Sequence, residues 1–454
     1  MSIPTNKLAS GVALRSATAL VIANMIGAGI FTTTGFQAAD IGHPGIILAL
    51  WVVGGVLALC GALCFAELGS MYPEAGAEYV YIRETYGQVF GFMAAFVGLF
   101  AGFSAPIAAA LKSLLVCLGH FVPSFADDPA LLGPVHLNDL VAIALCWLLV
   151  LVHSRGIKIG LRFNDLITLL KVLGIVAIIV AAFAVGKGDA ANLTHVAPVF
   201  AELTLNQKLT ACATSLIFVS FCYLGWNAAA YMAAEMKDPQ RDLPRSLLAG
   251  AALVTLLYLL LNTVFLYGAN VEALAGHVEV GLISARALFG DTGVTLTTLV
   301  LTVSILASAS AMTVVGPRVY YAFGKDFVPL SALTRTHPDT GAPTTALILQ
   351  GVVTTIIILT GRIDQIIQYA GFTLTLFATL AVACVIVLRI KQPDIERPFK
   401  TWLYPLPPVL FLTISIWTMV WSIQGRPTES ILALATAAAG GMLFYIIKKK
   451  NLLK

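Results

Sequence analysis

Long runs of apolar residues, separated by short polar connectors, constrain this chain more than any other feature. A helix needs about 20 apolar residues to cross the hydrocarbon core of a bilayer, and about twelve runs approach or exceed that length. Charged residues make up 11% of the 454 residues, against about 25% in soluble domains. The sequence therefore predicts an all-α membrane protein with about twelve transmembrane helices. The predicted spans are residues 14–39, 45–71, 88–120, 137–154, 163–186, 208–235, 246–268, 286–323, 344–361, 364–390, 402–423 and 429–447.

Basic residues predict the orientation, because cytoplasmic loops of membrane proteins are enriched in Lys and Arg. With a cytoplasmic N-terminus, 20 of the 27 Lys and Arg residues fall on inner segments, five fall on outer segments and two lie within spans. We therefore expect a multi-pass protein of the plasma (inner) membrane with both termini in the cytoplasm. The net charge of +4 follows from this distribution and gives no reason to expect a nucleic-acid partner.

The first predicted span contains a glycine-rich interruption at residues 24–31, with the sequence NMIGAGIF. Unwound backbone in hydrocarbon costs several kcal/mol per bare peptide group, so it survives only inside protein or around a polar cavity. This favours a broken helix with a solute in the break. The amides of Gly27, Ala28 and Gly29 would favour a carboxylate, and carbonyls near Met25 would favour a cation. The alternative is a glycine packing seam between helices.

The sixth predicted span carries a second interruption at Gly225, where Asn227 is predicted to cap the following half-helix. Five spans separate the two breaks, so spans 1–5 and 6–10 are predicted to form a 5+5 inverted repeat with broken helices 1 and 6. Paired interruptions of this kind indicate a transporter site at the repeat interface. The predicted division is residues 1–190 for the first repeat, 191–400 for the second, and 401–454 for two additional C-terminal transmembrane helices.

Three charged residues in or beside the spans need an explanation. Lys171 falls deep in the fifth span, where a charge costs about 2.5–3.5 kcal/mol, so we expect it to meet carbonyls of the first break or hydroxyls of the eighth span. It would either serve transport, for instance by exchanging a proton, or act as a structural tether. Lys112 is expected to snorkel to the outer surface rather than line a vestibule. Glu67 is expected to be solvated or paired with a loop arginine.

Four sequence segments, taken in order, resemble the amino acid-polyamine-organocation (APC) superfamily, and within it bacterial relatives of the L-type amino acid transporters. They are residues 27–31 (GAGIF), 66–81, 223–227 (YLGWN) and 238–244 (DPQRDLP). The resemblance covers almost the whole chain. It implies a five-plus-five inverted-repeat fold that works by alternating access.

The resemblance also implies a substrate site at the two breaks. It places the substrate carboxylate on amides of the first break and the α-ammonium on carbonyls near Met25, Phe221 and Leu224, with Phe221 closing over the substrate. Lys171 matches a fifth-span lysine that replaces a structural sodium ion in sodium-independent relatives. The substrate-binding residues implied in this way are Asn24, Met25, Gly27, Ala28, Gly29, Phe221, Leu224, Gly225 and Asn227.

The chain departs from the family pattern at three places. Ala28 stands where the family often has the serine of Gly-Ser-Gly, and Gly76-Ala77 stands where it usually has two glycines. The outer loop at residues 121–136 contains no cysteine, which argues against the disulfide-linked heavy chain of animal relatives. We therefore expect a monomer or homodimer.

These observations together predict a sodium-independent transporter of small or medium neutral L-amino acids, working as an exchanger. The alternatives are a proton-coupled symporter using Lys171, a transporter of cationic amino acids or polyamines, and a channel or amino acid-binding membrane protein that does not transport. The residues near both breaks include no obvious acid for a cationic substrate. The seven histidines show no metal-ligand spacing, so we expect no cofactor, metal site or catalytic residue; the expected partners are the amino acid and the lipid bilayer.

Overall fold

The computed structural model describes residue 8 and residues 11–133, 135–185, 187–361, 363–425 and 427–450. Four basic residues used in the orientation argument (Lys7, Arg362, Arg426 and Lys454) lie outside these ranges. The α-helices are α1 Leu14–Met25, α2 Thr33–Asp40, α3 Pro44–Met71, α4 Glu78–Tyr86, α5 Gln88–Val97, α6 Ala105–Leu118, α7 Pro123–Asp127, α8 Leu137–Ser154, α9 Ile157–Val185, α10 Pro198–Glu202, α11 Leu205–Tyr223, α12 Pro239–Gly268, α13 Val271–Leu274, α14 Val280–Asp326, α15 Thr344–Thr360, α16 Ile363–Lys391, α17 Leu406–Gly425 and α18 Pro427–Lys449. A two-stranded antiparallel hairpin, β1 Ala130–Leu132 and β2 Val135–His136, lies between α7 and α8.

Apolar helices long enough to cross a membrane dominate the structure. The described ranges contain nine such helices, and the bent pair formed by α1 and residues 29–40 makes a tenth. Two further apolar helices are shorter, α15 and the Leu406–Trp421 part of α17. A mostly helical, multi-pass membrane protein is therefore confirmed. The count of twelve spans and the inverted repeat remain predictions.

Both predicted interruptions occur in the structure. The first span bends by 45° between α1 and the segment that begins at Gly29, which is a short 3₁₀ turn (Gly29–Phe31) followed by α2. In the sixth span, α11 ends at Tyr223 and the chain resumes as a 3₁₀ helix over Ala228–Glu235 rather than as an α-helix. Each broken span therefore has unwound backbone between its two halves.

The first broken span lies in the interior, and long helices pack around it. One of them, α14, is itself kinked at Gly290, where φ is +69°. The helix α12 packs against both α1 and α3, and α14 packs against α6 and α9. The outer face of α9 exposes large apolar side chains, including Leu166, Leu170 and Leu173. In a membrane protein such a face meets lipid tails, which agrees with the expected lipid partner.

Lys112 does not snorkel to the surface as expected. Its ammonium lies 2.8 Å from Oδ1 of Asp139 at the start of α8, and it also donates to the carbonyls of Ile358 (3.0 Å) and Gly361 (3.4 Å). A partly buried ammonium that is bonded to an acid and to carbonyls loses more by leaving them than it gains from water. Lys112 therefore ties α6 to α8 and to the end of α15.

Glu67, by contrast, is paired with arginine, which was one of the two expectations drawn from the sequence. Its carboxylate accepts hydrogen bonds from Arg389 Nη2 at 2.7 Å and from the Thr401 amide at 2.7 Å. Arg397, in the segment between α16 and α17, lies 3.5 Å away. The side chain is 1% exposed, so solvation is excluded. The pairing fastens the end of α3 to α16 and to the segment that follows it.

Candidate functional site

The first break leaves a group of backbone donors without partners. Ile26, which follows α1, has extended backbone torsions, and helical structure resumes only at Gly29. Among the residues that the structure describes, the amides of Gly27, Ala28 and Gly29 donate no hydrogen bond. Three free N–H groups at the start of a half-helix form a site for an anion.

Glycine is required at the second break for both its torsion angles and its contacts. Gly225 has φ +102°, a conformation that side-chain-bearing residues rarely adopt. A Cβ atom placed on it would lie 3.0 Å from the carbonyl carbon and from Cβ of Asn24. The two breaks are therefore in direct contact. In addition, Thr33 Oγ1 at the start of α2 lies 3.1 Å from Cys222 Sγ near the end of α11. The half-helix after the first break therefore touches the half-helix before the second.

A cavity of about 1410 Å³ surrounds the two breaks. At one end it reaches His120 and Arg286, in segments predicted to be outside, and at the other it ends near Glu78 and Tyr231. Phe103, Phe218 and Leu374 contribute apolar walls. The cavity includes every residue predicted for substrate binding in its lining: Asn24, Met25, Gly27, Ala28, Gly29, Phe221, Leu224, Gly225 and Asn227.

Not all carbonyls near the breaks are free to bind a substrate ammonium. The hydroxyl of Tyr258 donates to the carbonyl of Met25 at 2.7 Å and to that of Cys222 at 3.0 Å, and the Leu224 amide donates to the carbonyl of Phe221. Within the described ranges, the carbonyls of Asn24 and Leu224 accept no hydrogen bond. These two carbonyls are the better acceptors for a cationic group.

Lys171 lies behind the first break and is not among the residues that line the cavity. It is completely buried, and its Nζ donates to the carbonyls of Ala23 (3.0 Å) and Ile26 (2.6 Å). Of the two partner sets considered from the sequence, the structure has the carbonyls. Three of the four eighth-span hydroxyls considered have other partners: Ser304 donates to the carbonyl of Val300, Thr313 donates to that of Ala309, and Ser310 lies 3.0 Å from His153 Nε2.

Asn227 does not cap the second half of the sixth span with its side chain. Its Nδ2 donates instead to Oε1 of Glu78 at 2.7 Å and to the Tyr231 hydroxyl at 3.2 Å. Glu78 was missed from the sequence because it lies about 150 residues before its partner, between the predicted second and third spans. Its position one residue before Tyr79 in a resemblance motif was the only indication available.

Ion pairs close the face that is predicted to be cytoplasmic. Arg83 of α4 lies 2.6 Å from Asp326 at the end of α14, and the Tyr79 hydroxyl donates to the same carboxylate. Deeper in, Arg318 and Glu235 form a buried pair at 2.8 Å, with side chains only 4% and 1% exposed. The cavity is thus open toward one face and sealed by paired charges toward the other.

Sequence comparisons agree with this geometry. A family model described as "Amino acid permease" matches residues 13–444. The chain belongs to the amino acid permease family. The resemblance to APC-superfamily transporters is thereby confirmed, and the contacts described above lie in an amino acid transporter of that family.

Curated relatives match nearly the whole chain. The serine/threonine exchanger SteT of Bacillus subtilis (strain 168) is 28% identical over 455 residues, covering 99% of this chain and all of the relative. The b(0,+)-type amino acid transporter 1 of Homo sapiens is 27% identical, covering 98% and 88%. The large neutral amino acids transporter small subunit 2 of Homo sapiens is 27% identical, covering 96% and 80%.

Proposed function

We propose that this permease is a sodium-independent exchanger of small or medium neutral L-amino acids that works by alternating access. The observation that carries the proposal is the set of free amides at Gly27, Ala28 and Gly29, which face the cavity beside the free carbonyls of Asn24 and Leu224. Donors for a carboxylate thus lie next to acceptors for an ammonium group. An α-amino acid carries both groups on one carbon atom.

The position of Lys171 supports sodium independence. Unwound carbonyls of broken helices are the groups that bind the coupling ion in sodium-dependent transporters. Here the carbonyls of Ala23 and Ile26 are bonded to a lysine ammonium. The amino group of Lys171 already satisfies these carbonyls, so a sodium ion is not needed there.

The walls of the cavity support a neutral substrate. Most of the lining around the breaks is apolar, and Phe221 packs so that its ring would lie 3.2 Å from a Cβ atom added at Gly371. The sequence predicted no acid near the breaks, but Glu78 lies in the lining, where it accepts a hydrogen bond from Asn227 at 2.7 Å. An apolar pocket favours uncharged side chains, because a charged group left there unpaired would lose its hydration. Phe221 is the aromatic residue that we propose closes over the substrate.

We also propose the inverted repeat of residues 1–190 and 191–400, with 401–454 peripheral, a location in the inner membrane and cytoplasmic termini. Contact between the two breaks supports the repeat, because both interruptions then serve one site. We further propose a monomer or homodimer without a disulfide-linked heavy chain. All seven cysteines are free and lie within helices.

Uptake into proteoliposomes tests the proposal. Purified protein is reconstituted without sodium at equal pH on both sides, and uptake of labelled alanine is compared between empty vesicles and vesicles preloaded with unlabelled alanine. Uptake in preloaded vesicles alone is the expected result. Equal uptake in both would indicate a uniporter or symporter, and dependence on added sodium would refute sodium independence.

A further inference from the structure

Glu78 is a buried acid at the closed end of the substrate cavity. It is the first residue of α4, is 9% exposed, and lines the cavity together with Asn227 and Tyr231. Asn227 lies two residues beyond Gly225, and its side-chain amide donates a hydrogen bond to the carboxyl group of Glu78. Its state of charge therefore bears directly on the site.

No basic side chain neutralises this acid in the described part of the chain. Arg83, one turn further along α4, is committed to Asp326, Glu74 and Glu84. The titratable groups that act on Glu78 from the surrounding elements are the phenols of Tyr81 and Tyr231 and the thiol of Cys384. Phenols and thiols are uncharged at neutral pH in their ordinary state, so none supplies a positive charge.

A second, much smaller cavity is also lined by this residue. Its volume is about 20 Å³, and its lining includes Glu78, Tyr79, Val319 and Thr373. A space of this size holds about one water molecule. Glu78 therefore lines both the substrate cavity and a second space that can hold a water molecule next to Tyr79.

Burial raises the pKa of Glu78 to about 7, against the hydrogen bonds from Tyr231 and Asn227, which act in the opposite direction. Since the carboxyl group is buried without a cation, its ionised form lacks solvation. Closure of the cavity removes the remaining water and disfavours the ionised form further.

We propose that Glu78 is a proton-binding residue of the transport site and that the cavity closes over its substrate only when this carboxyl group is protonated. The proton comes from cavity water, forms an O–H bond on the carboxylate and returns to water when the cavity reopens, with no electron transfer. The inference rests on the proposed exchange function. It differs from the role considered for Lys171, which lies outside the cavity lining.

Alanine exchange in preloaded proteoliposomes, at equal pH on both sides from 5.5 to 8.5, tests this inference. The variants are Glu78→Gln, which resembles the protonated acid, and Glu202→Gln, a matched change of an exposed acid in α10. Wild-type exchange should fall about tenfold from pH 6 to pH 8, as expected for one group that titrates near 7. Glu78→Gln should stay at the low-pH level throughout, and Glu202→Gln should follow the wild type.

The inference would be overturned if wild-type alanine exchange did not change with pH, or if Glu78→Gln kept the pH dependence of the wild type. Either result would leave amino acid exchange established. If Glu78→Gln does not fold, Tyr231→Phe takes its place. Loss of the hydroxyl removes a hydrogen bond that favours the ionised form, so the midpoint should move to higher pH. An unchanged midpoint would overturn the inference as well.

Thermal unfolding in detergent provides a readout that needs no substrate. The native protein holds a proton on Glu78 between the ordinary glutamate pKa and about 7, whereas the unfolded chain does not. The wild type should therefore lose stability relative to Glu78→Gln from pH 4.5 to pH 7, with no further change above. An equal difference at pH 4.5 and pH 8 would overturn proton binding even if alanine proves not to be a substrate.

Discussion

Replacing Lys171 by methionine tests the central electrostatic feature of the first break. Methionine keeps the length of the side chain and removes its charge and its donors. The carbonyls of Ala23 and Ile26 would then lose their partner at 3.0 Å and 2.6 Å. Both carbonyls belong to the segment that leads into the free amides of Gly27 and Ala28.

The expected magnitude follows from these two contacts. Leaving a buried acceptor unsatisfied costs about 1–3 kcal/mol, so two carbonyls cost about 2–6 kcal/mol in total. Removing a buried cation offsets part of this loss in the overall fold. The break, however, loses its positioning group, and even about 2 kcal/mol of lost positioning lowers substrate affinity about thirtyfold.

The measurement is alanine exchange per folded protein, together with the concentration of alanine that half-maximally raises the unfolding temperature. Lys158→Met is the matched control, because Lys158 is an exposed lysine of the same helix, α9. We expect Lys171→Met to weaken alanine binding by about thirtyfold or more and Lys158→Met to leave it unchanged. If Lys171→Met, or the shorter Lys171→Ala, transports normally at all pH values, the role assigned to Lys171 is wrong.

Three further substitutions test other contacts. Gly225→Ala should reduce alanine exchange, because alanine in this left-handed conformation costs about 1–2 kcal/mol and its Cβ would press on the first break. The control is Gly276→Ala, at a position with positive φ but open space around it. Equal exchange by the two variants would refute the contact argument. Arg318→Met should lower stability in detergent by about 3–5 kcal/mol, because it leaves Glu235 buried and unpaired, and the double variant with Glu235→Met should recover most of that loss in thermal unfolding. Lys112→Met should lower the unfolding temperature without changing alanine affinity; an unchanged unfolding temperature would mean that its contacts carry no stability.

The two breaks could be predicted from the sequence because their cause is local. A glycine in the middle of an apolar run has no cost-free place in a regular membrane helix, and Gly27 and Gly225 both lie at unwound backbone in the structure. The cavity lining followed from the same argument and the family resemblance. Lys171 was also predictable as a group needing a partner, since a charge at that depth cannot remain alone.

Contacts between distant segments were not predictable in the same way. Lys112 was expected to snorkel to the outer surface because it lies about two turns from the outer end of its predicted span. Asp139 lies 27 residues later, and folding brings it to Lys112 across α6 and α8. Glu78 lies between the second and third predicted spans, and only the folding of α4 against the second break brings it to the cavity. Asn227 was expected to cap its own half-helix, but its side-chain amide donates instead to the carboxyl group of Glu78 at 2.7 Å.

The 3₁₀ form of Ala228–Glu235 has a mechanical consequence. A 3₁₀ helix rises about 2.0 Å per residue and an α-helix about 1.5 Å, so these eight residues extend about 16 Å instead of about 12 Å. The extra length of about 4 Å carries Glu235 to within 2.8 Å of Arg318. Rewinding this segment into an α-helix would draw its far end back by more than that ion pair can stretch. The far end of this extended segment is held both by that ion pair and by the amides of Gly11 and Val12, which donate to the carbonyl of Glu235 at 2.8 Å and 2.9 Å. Shortening the segment would therefore require both sets of contacts to break.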